Sequence, residues 1–167
     1  MALRAIRLNR DPVLYRKCRE VEQVDDKVRQ LLDDMLQTLH ATSNGAAIAA
    51  PQVGVLRRLV VIDMGELSGG VLKLVNPKII HKQGRQVCDE GCLSFPDQWA
   101  QTVRPYQVTV QALDENGQKI QLTGEGELAQ CFCHELDHLD GIVFLQRAIK
   151  TSSAAPSKGR RRQNRKA

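Results

Sequence analysis

Residues 108–138 read VTVQALDENGQKIQLTGEGELAQCFCHELDH and contain both kinds of secondary structure that we predict for this chain. Apolar and polar residues alternate on either side of the turn at 114–117, and an Asn-Gly pair between two alternating runs predicts a β-hairpin. Leu128–His138 is predicted as a helix, with Glu125 and Glu127 favourably placed for the helix dipole and Gly141 at its end. The stretch therefore predicts an antiparallel hairpin followed by a helix.

Further upstream, the pattern predicts a second helix and several strands. Apolar residues recur at helical spacing between Val28 and Leu39, after a capping pair at 25–26 and before Asn44-Gly45, which we expect to stop the helix. Short apolar or β-branched runs predict strands at 58–63, 71–75 and 78–87, the last with a reversal near Gly84. The strands cluster between the helices and do not alternate with them. We therefore predict an α+β fold with antiparallel sheets around the C-terminal helix, and an N-terminal helix.

Composition limits the class of protein. The chain has 167 residues, of which 42% are hydrophobic and 26% charged, values typical of one folded domain. No apolar run approaches the about 18 residues of a membrane-spanning helix, and the first twenty residues lack the apolar run of a secretory signal. All five cysteines are then expected to be reduced thiols or metal ligands. We expect a cytoplasmic protein without membrane association.

The net charge of +5 arises at the C-terminal end. Residues 156–167 (PSKGRRRQNRKA) contain six basic residues and no acid, which leaves 18 basic against 19 acidic residues in the rest of the chain. We predict a folded domain over 1–150 and a basic, disordered tail over 151–167. Such a tail is either a solvated terminus or a tether to a polyanion such as RNA.

The segment His134–His138 (HELDH) is an H-E-x-x-H motif on the predicted C-terminal helix. At about 3.6 residues per turn, the two histidines lie on one helix face and can reach the same metal ion. Glu135 follows the first histidine and can act on a water at that ion. The motif indicates a metal site rather than two surface histidines.

A catalytic metal site needs a third protein ligand, and no histidine or glutamate follows His138. The ligand must come from upstream. Cys92 stands out because Gly91 beside it allows close approach of the backbone to a ligand. The other candidates are several carboxylates and the residues Cys88, Cys131, Cys133, His40 and His81. We predict that Cys131 belongs to the core and that Cys18 and Cys133 are either core or incidental.

Three blocks in order resemble the peptide deformylases: Gly45–Gln52 (GAAIAAPQ), Glu90–Ser94 (EGCLS) and His134–His138 (HELDH). The resemblance covers roughly residues 3–148. It implies removal of the formyl group from N-formylmethionyl peptides, with release of formate. It also implies one divalent metal ion, Fe(II), with Ni(II), Co(II) or Zn(II) as alternatives.

The same resemblance implies a role for particular residues. Cys92, His134 and His138 would bind the metal, and Glu135 would be the acid–base residue. Gln52 and the backbone N–H of Leu93 would stabilise the oxyanion. The substrate would lie along the following residues: Gly45, Ala46, Ala47 and Gly91. Ile48 and residues near His134 are expected to form an apolar pocket for methionine, and Glu90 and Arg104 a supporting ion pair.

One position departs from the family pattern, because Ala47 stands where the family has glycine. If that position requires a positive φ, or if the substrate backbone passes close to it, the methyl group is unfavourable. We therefore expect Ala47→Gly to raise kcat/KM.

Two other functions compete with this interpretation. A small zinc peptidase would share H-E-x-x-H but has no need of the Gln52 and Cys92 blocks. A non-catalytic ribosome- or RNA-binding module with a structural metal would want a fourth protein ligand, and no second cysteine accompanies Cys92 in a usual knuckle. For a deformylase, the basic tail could concentrate the enzyme at the ribosome or ribosomal RNA, where its substrates emerge.

Overall fold

The computed structural model describes residues 2–155. Its N-terminal helix α1 (Asp26–His40) begins where Asp25 accepts a hydrogen bond from the backbone N–H of Val28 at 2.9 Å, as the capping pair predicts. The buried face of α1 carries Leu32, Met35 and Leu39, and it packs on one side of the larger sheet. The helix ends at His40, before the Asn44-Gly45 pair that was expected to stop it.

The larger sheet has five antiparallel strands in the order β1-β2-β3-β6-β7. These strands are β1 (Ala47–Ala49), β2 (Leu59–Asp63), β3 (Val71–Gln83), β6 (Gln107–Leu113) and β7 (Lys119–Glu125). The predicted hairpin is confirmed as β6 and β7, with Ala112 opposite Ile120. The runs predicted at 71–75 and 78–87 are one long strand, β3, with a register shift between Val75 and Lys78, followed by a second strand.

The smaller sheet has three antiparallel strands in the order β4-β5-β8. They are β4 (Gln86–Cys92), β5 (Phe95–Arg104) and β8 (Lys150–Ser152). β8 pairs with the middle of β5, so that Trp99 lies opposite Ser152. The pattern did not predict β5 or β8, nor the short strand β1. Residues 156–167 of the predicted tail lie outside the described residues.

The C-terminal helix α2 (Glu127–Leu139) packs on the larger sheet and closes the core. Phe132 and Leu139 on α2 are fully buried among side chains of β2 and β6, including Val60 and Val110. Gly141 has φ +72° just after the helix, which explains why glycine ends it. The predicted α+β fold, with antiparallel sheets around this helix, is confirmed. No helix among residues 2–155 is long and apolar enough to span a membrane.

Candidate active site

Helix α2 presents both histidines of the HELDH segment to one side, as the spacing predicts. The rings of His134 and His138 lie edge to face with centroids 5.0 Å apart, and both side chains are buried. Burial and the neighbouring His134 lower the pKa of His138 well below its usual value. Burial acts on His134 in the same sense, but the hydrogen bonds that its ring makes to Cys92 and Glu90 outweigh it and raise its pKa well above the usual value.

Cys92 lies at the end of β4, next to these histidines. Its Sγ is 3.4 Å from Nε2 of His138, and the donor atoms of Cys92, His134 and His138 all lie within 4.8 Å of one another. Among residues 2–155 this is the group of side chains that can hold a metal ion. The other candidate ligands are not part of this group: His40, for example, contacts Asp63 at 2.7 Å.

Two imidazole nitrogens and one thiol fit a divalent transition metal, and they leave room in its coordination shell for other ligands. The remaining cysteines do not belong to this group. Burial raises the pKa of Cys88 to about 12 and that of Cys133 to about 11, so both thiols remain protonated at neutral pH. Cys18 and Cys133 belong to the core, while Cys131 packs against the core and also lines the cleft beside the metal group.

A buried charge network holds His134 in place. Nδ1 of His134 is 2.7 Å from Oε1 of Glu90, and Arg104 donates to both oxygens of Glu90 at 2.8 and 3.0 Å. Thr102 donates a hydrogen bond to the same carboxylate. Nη1 of Arg104 also donates to Oδ2 of Asp137 at 2.7 Å. Burial disfavours the Glu90 carboxylate, but its bonds to His134 and Arg104 lower its pKa to about 2. The predicted Glu90–Arg104 ion pair is confirmed.

Glu135 is a buried carboxyl with one free oxygen. Only 4% of the residue is exposed, and Oε2 has no hydrogen-bond partner among the described protein groups. Burial raises its pKa to about 7, against the opposing effect of His134. A carboxyl with a pKa near neutrality can both accept and return a proton, which suits general acid–base chemistry.

Gln52 is fixed beside Cys92 by a short 3₁₀ turn at Ala50–Val53. Its Oε1 accepts a bond from the backbone N–H of Ala49 at 2.9 Å, so the side-chain orientation is determined by the chain itself. Its Nε2 donates to Oγ of Ser94 at 3.1 Å and lies 3.4 Å from Sγ of Cys92. The amide nitrogen of Gln52 therefore lies beside the metal group.

Cys92, His134, Glu135 and Gln52 line one cleft of about 530 Å³. Its walls include the predicted substrate residues Gly45, Ala46, Ala47 and Gly91, together with Gln52, Leu93, His134 and Glu135. The expectation for Ile48 is wrong: its side chain is fully buried in the core with α1 and does not line the cleft. The reason is the alternation of β1, since Ala47 and Ile48 point to opposite sides.

The Ala47 methyl group causes no backbone strain. Ala47 lies within β1 and is absent from the residues of positive φ, so the strain that a glycine would avoid does not arise. Gly45 is required for a different reason: a Cβ there would lie 2.5 Å from Oγ1 of Thr42.

The sequence interpretation missed part of the cleft wall. Asp89, Trp99, Glu127 and Gln130 also line it. Glu127 and Gln130 could have been found, since they are seven and four residues before His134 and share its helix face. Asp89 and Trp99 depend on the pairing of β4 with β5, which has no local signal in the sequence.

Comparison with known proteins identifies the relatives of this chain. A family model described as polypeptide deformylase matches residues 3–154. Peptide deformylase 2 of Clostridium acetobutylicum is 64% identical over 144 residues, which is 86% of this chain and 94% of that protein. The peptide deformylase of Caldicellulosiruptor bescii is 48% identical over 161 residues, covering 96% and 95% of the two chains. A crystal structure of the Ehrlichia chaffeensis peptide deformylase with actinonin superposes with a TM-score of 0.86 at 41% identity, over 90% of this chain and 91% of that one.

Proposed function

The chain belongs to the polypeptide deformylase family, and from this we propose a role for each residue of its cleft. It is a metal-dependent hydrolase that removes the N-formyl group from the N-terminal methionine of new polypeptides and releases formate. One observation supports the assignment of roles best. The donor atoms of Cys92, His134 and His138 converge within 4.8 Å, and Cys92 and His134 line the same cleft as Glu135 and Gln52.

Cys92, His134 and His138 would hold the single metal ion of the family, and the donor set suits it. Bound there, a divalent cation supplies Lewis-acid activation of the formyl carbonyl and of water. We propose Fe(II) as the ion, with Ni(II), Co(II) and Zn(II) as alternatives, since one thiolate and two imidazoles accept all four. Glu90 fixes the ring of His134 through Nδ1 and leaves Nε2 for the ion.

Glu135 moves the proton. Its unpartnered Oε2 takes a proton from the attacking water, and the same oxygen then delivers it to the nitrogen of the departing methionine. A pKa of about 7 suits both halves of this transfer, because the carboxyl is easily protonated and deprotonated near neutral pH.

Gln52 and the backbone N–H of Leu93 stabilise the oxyanion that develops on the formyl oxygen. The Ala49 N–H holds the Gln52 side chain in place before substrate arrives, so little reorganisation accompanies the reaction. Removing such a donor costs about 10²–10³ in kcat in other hydrolases.

The substrate peptide adds to the edge of the larger sheet. β1 is the outer strand of that sheet among the described residues, and Gly45, Ala46 and Ala47 at its start line the cleft. A peptide extended along them can pair its backbone with theirs. Gly91, beside Cys92, also lines the cleft.

The reaction is tested by formate release from N-formyl-Met-Ala-Ser. The protein is purified without oxygen and loaded separately with Fe(II), Ni(II), Co(II) or Zn(II). We expect release with iron or nickel that a chelator abolishes. Absence of release with every metal, despite stoichiometric binding, would contradict the function.

The role of Glu135 is tested in the same assay with Glu135→Ala. This variant should bind one metal ion per chain and lose at least about 10²-fold in kcat. Glu22→Gln, an exposed carboxylate away from the cleft, is the control and should keep full activity. Retained turnover in Glu135→Ala would refute the acid–base role.

We also propose that the enzyme works in the cytoplasm and that the basic tail concentrates it at ribosomal RNA, where its substrates emerge. Residues 156–167 contain six basic residues without an acid, which favours contacts with phosphates. Deleting them should weaken salt-sensitive co-sedimentation with ribosomes and leave peptide deformylation unchanged. Equal co-sedimentation of the shortened protein would refute the tether.

A further inference from the structure

Asp63, the last residue of β2, makes hydrogen bonds to three different segments of the chain. Its backbone N–H donates to the carbonyl oxygen of Ala46 at 2.8 Å. Its Oδ2 lies 2.7 Å from Nε2 of His40, and its Oδ1 accepts a hydrogen bond from the backbone N–H of Gly65 at 3.2 Å. The end of α1, the residue before β1 and the turn after β2 are therefore held together at one residue.

Two of these contacts lie at the two ends of one loop. Residues 41–46 connect α1 to β1, and we call them the α1–β1 loop. His40 directly precedes this loop and Ala46 is its last residue, so Asp63 holds the loop at both ends. A loop that is ordered before the substrate arrives removes the entropic cost of ordering it during binding.

The segments that Asp63 holds form part of the cleft wall. The α1–β1 loop contributes three residues to that wall: Asn44, Gly45 and Ala46. Met64, which follows Asp63 directly, also lines the cleft. In the described part of the chain, His40 and Asp63 themselves do not line it. Their effect on the cleft is therefore indirect, through the position of the backbone.

The pair of His40 and Asp63 is partly open to solvent, since 53% of the His40 side chain and 27% of the Asp63 side chain are exposed. The hydrogen bond from His40 and the one from the Gly65 N–H hold the pKa of Asp63 below its usual value, so its carboxylate is ionised at neutral pH. An exposed pair contributes little to the free energy of unfolding. The contact is thus better suited to positioning the loop than to stabilising the fold.

We propose that His40 and Asp63 are positioning residues, which hold the α1–β1 loop where the backbone of the substrate peptide pairs with it. This inference rests on the proposed function, in which the peptide adds to the sheet edge at residues 45–47. The metal group and the acid–base residue lie on β4 and α2, which the contacts of Asp63 do not involve. The two side chains therefore affect how tightly the peptide binds and leave the chemical step unchanged.

The test measures kcat and KM separately for N-formyl-Met-Ala-Ser, with the metal-loaded full chain and its His40→Ala variant. KM should rise about three- to ten-fold, because the loop must then be ordered when the peptide binds. We expect kcat to change by less than about two-fold, since a substitution that weakens substrate and transition-state binding equally raises KM alone. A mere loss of folded protein would instead lower kcat together with the metal content and leave KM unchanged.

Further variants locate the effect. His40→Gln keeps an amide donor for the Asp63 carboxylate and should bring KM back to within about two-fold of wild type. Asp63→Ala should raise KM at least as much as His40→Ala, because the Gly65 contact is lost as well. Adding His40→Ala to Asp63→Ala should have no further effect, since the partner is already missing. His81→Ala, at an exposed histidine of β3 that does not line the cleft, is the matched control and should keep the wild-type KM.

The outcomes separate this inference from the function on which it rests. No formate from the wild-type enzyme with any metal would contradict the deformylase function. Formate release with a wild-type KM in both His40→Ala and Asp63→Ala would overturn the positioning role alone. A lower kcat at unchanged KM, or a raised KM that His40→Gln does not restore, would overturn it as well.

Discussion

Glu90 accepts hydrogen bonds from three residues on two elements of the fold: from His134 on α2 and from Thr102 and Arg104 on β5. It is 1% exposed and carries its charge inside the protein. A buried carboxylate is stable there because a guanidinium and an imidazole face it directly. The residue that orients His134, a proposed metal ligand, is thus also the residue that joins the smaller sheet to α2.

Glu90→Gln should therefore weaken both metal binding and the fold. We expect metal affinity to fall by about ten-fold or more, because His134 loses its charged partner. We also expect the free energy of unfolding of the metal-free protein to fall by about 3 kcal/mol, because Arg104 keeps only Asp137 as a partner in a buried place. Metal titration and urea denaturation measure the two effects.

A double-mutant cycle isolates the pair. Glu90→Gln and Arg104→Gln should show a coupling energy of about 2 kcal/mol, whereas the outer Arg58–Asp140 pair, with Asp140 half-exposed, should show about 0.5 kcal/mol or less. A coupling near zero for Glu90 and Arg104 would contradict the role of the pair.

Among the elements, β1 combines a structural and a binding role. Side chains alternate between the two faces along β1. Ile48 therefore packs in the core with α1, while Ala47 packs in the core with α2 and also lines the cleft. Since Ala47 is not at positive φ, any effect of its methyl group on catalysis must come from crowding of the substrate backbone.

Ala47→Gly should lower the free energy of unfolding by about 1 kcal/mol, through loss of a buried methyl group and greater freedom of the unfolded chain. It should raise kcat/KM, because the substrate gains room beside β1. Ala112→Gly is the matched control, since Ala112 is a buried strand residue of the same core cluster as Ala47 but does not line the cleft. It should lose similar stability with kcat/KM unchanged; equal kcat/KM in Ala47→Gly and wild type would show that the methyl group is harmless.

The elements also show how far sequence reasoning reaches. α1, α2 and the β6–β7 hairpin were predictable because each has a local period and its own capping or turn residues, such as Asp25 and Asn116. β5 was not, because its buried positions include Thr102 and Arg104, whose burial only the partner Glu90 explains. Cys92, His134 and His138 could be proposed together because three sequence motifs occur in the order typical of the family. The position of Trp99 in the cleft wall could not be predicted, because it depends on the pairing of β4 with β5.

At the scale of the whole molecule, the metal group bridges the two halves of the fold. Cys92 ends β4 in the smaller sheet, and both histidines lie on α2, which packs on the larger sheet. A ligand that binds only when these elements are together stabilises the folded state by mass action.

Removing the metal with a chelator should therefore lower Tm by about 5–10 °C in scanning calorimetry. The His138→Ala variant should have the same Tm with and without metal, because one ligand of the metal group is missing. If wild type and its chelated form melt together, the metal does not tie β4 to α2.

Trp99, the only tryptophan of the chain, lies in the cleft wall rather than in the main core. Intrinsic fluorescence will consequently report on the smaller sheet and on whatever occupies the cleft, while circular dichroism reports on the two helices. A product peptide that displaces water from the indole should shift its emission without any change in fold. In a denaturation curve, the two signals will separate if the cleft wall opens before the core does.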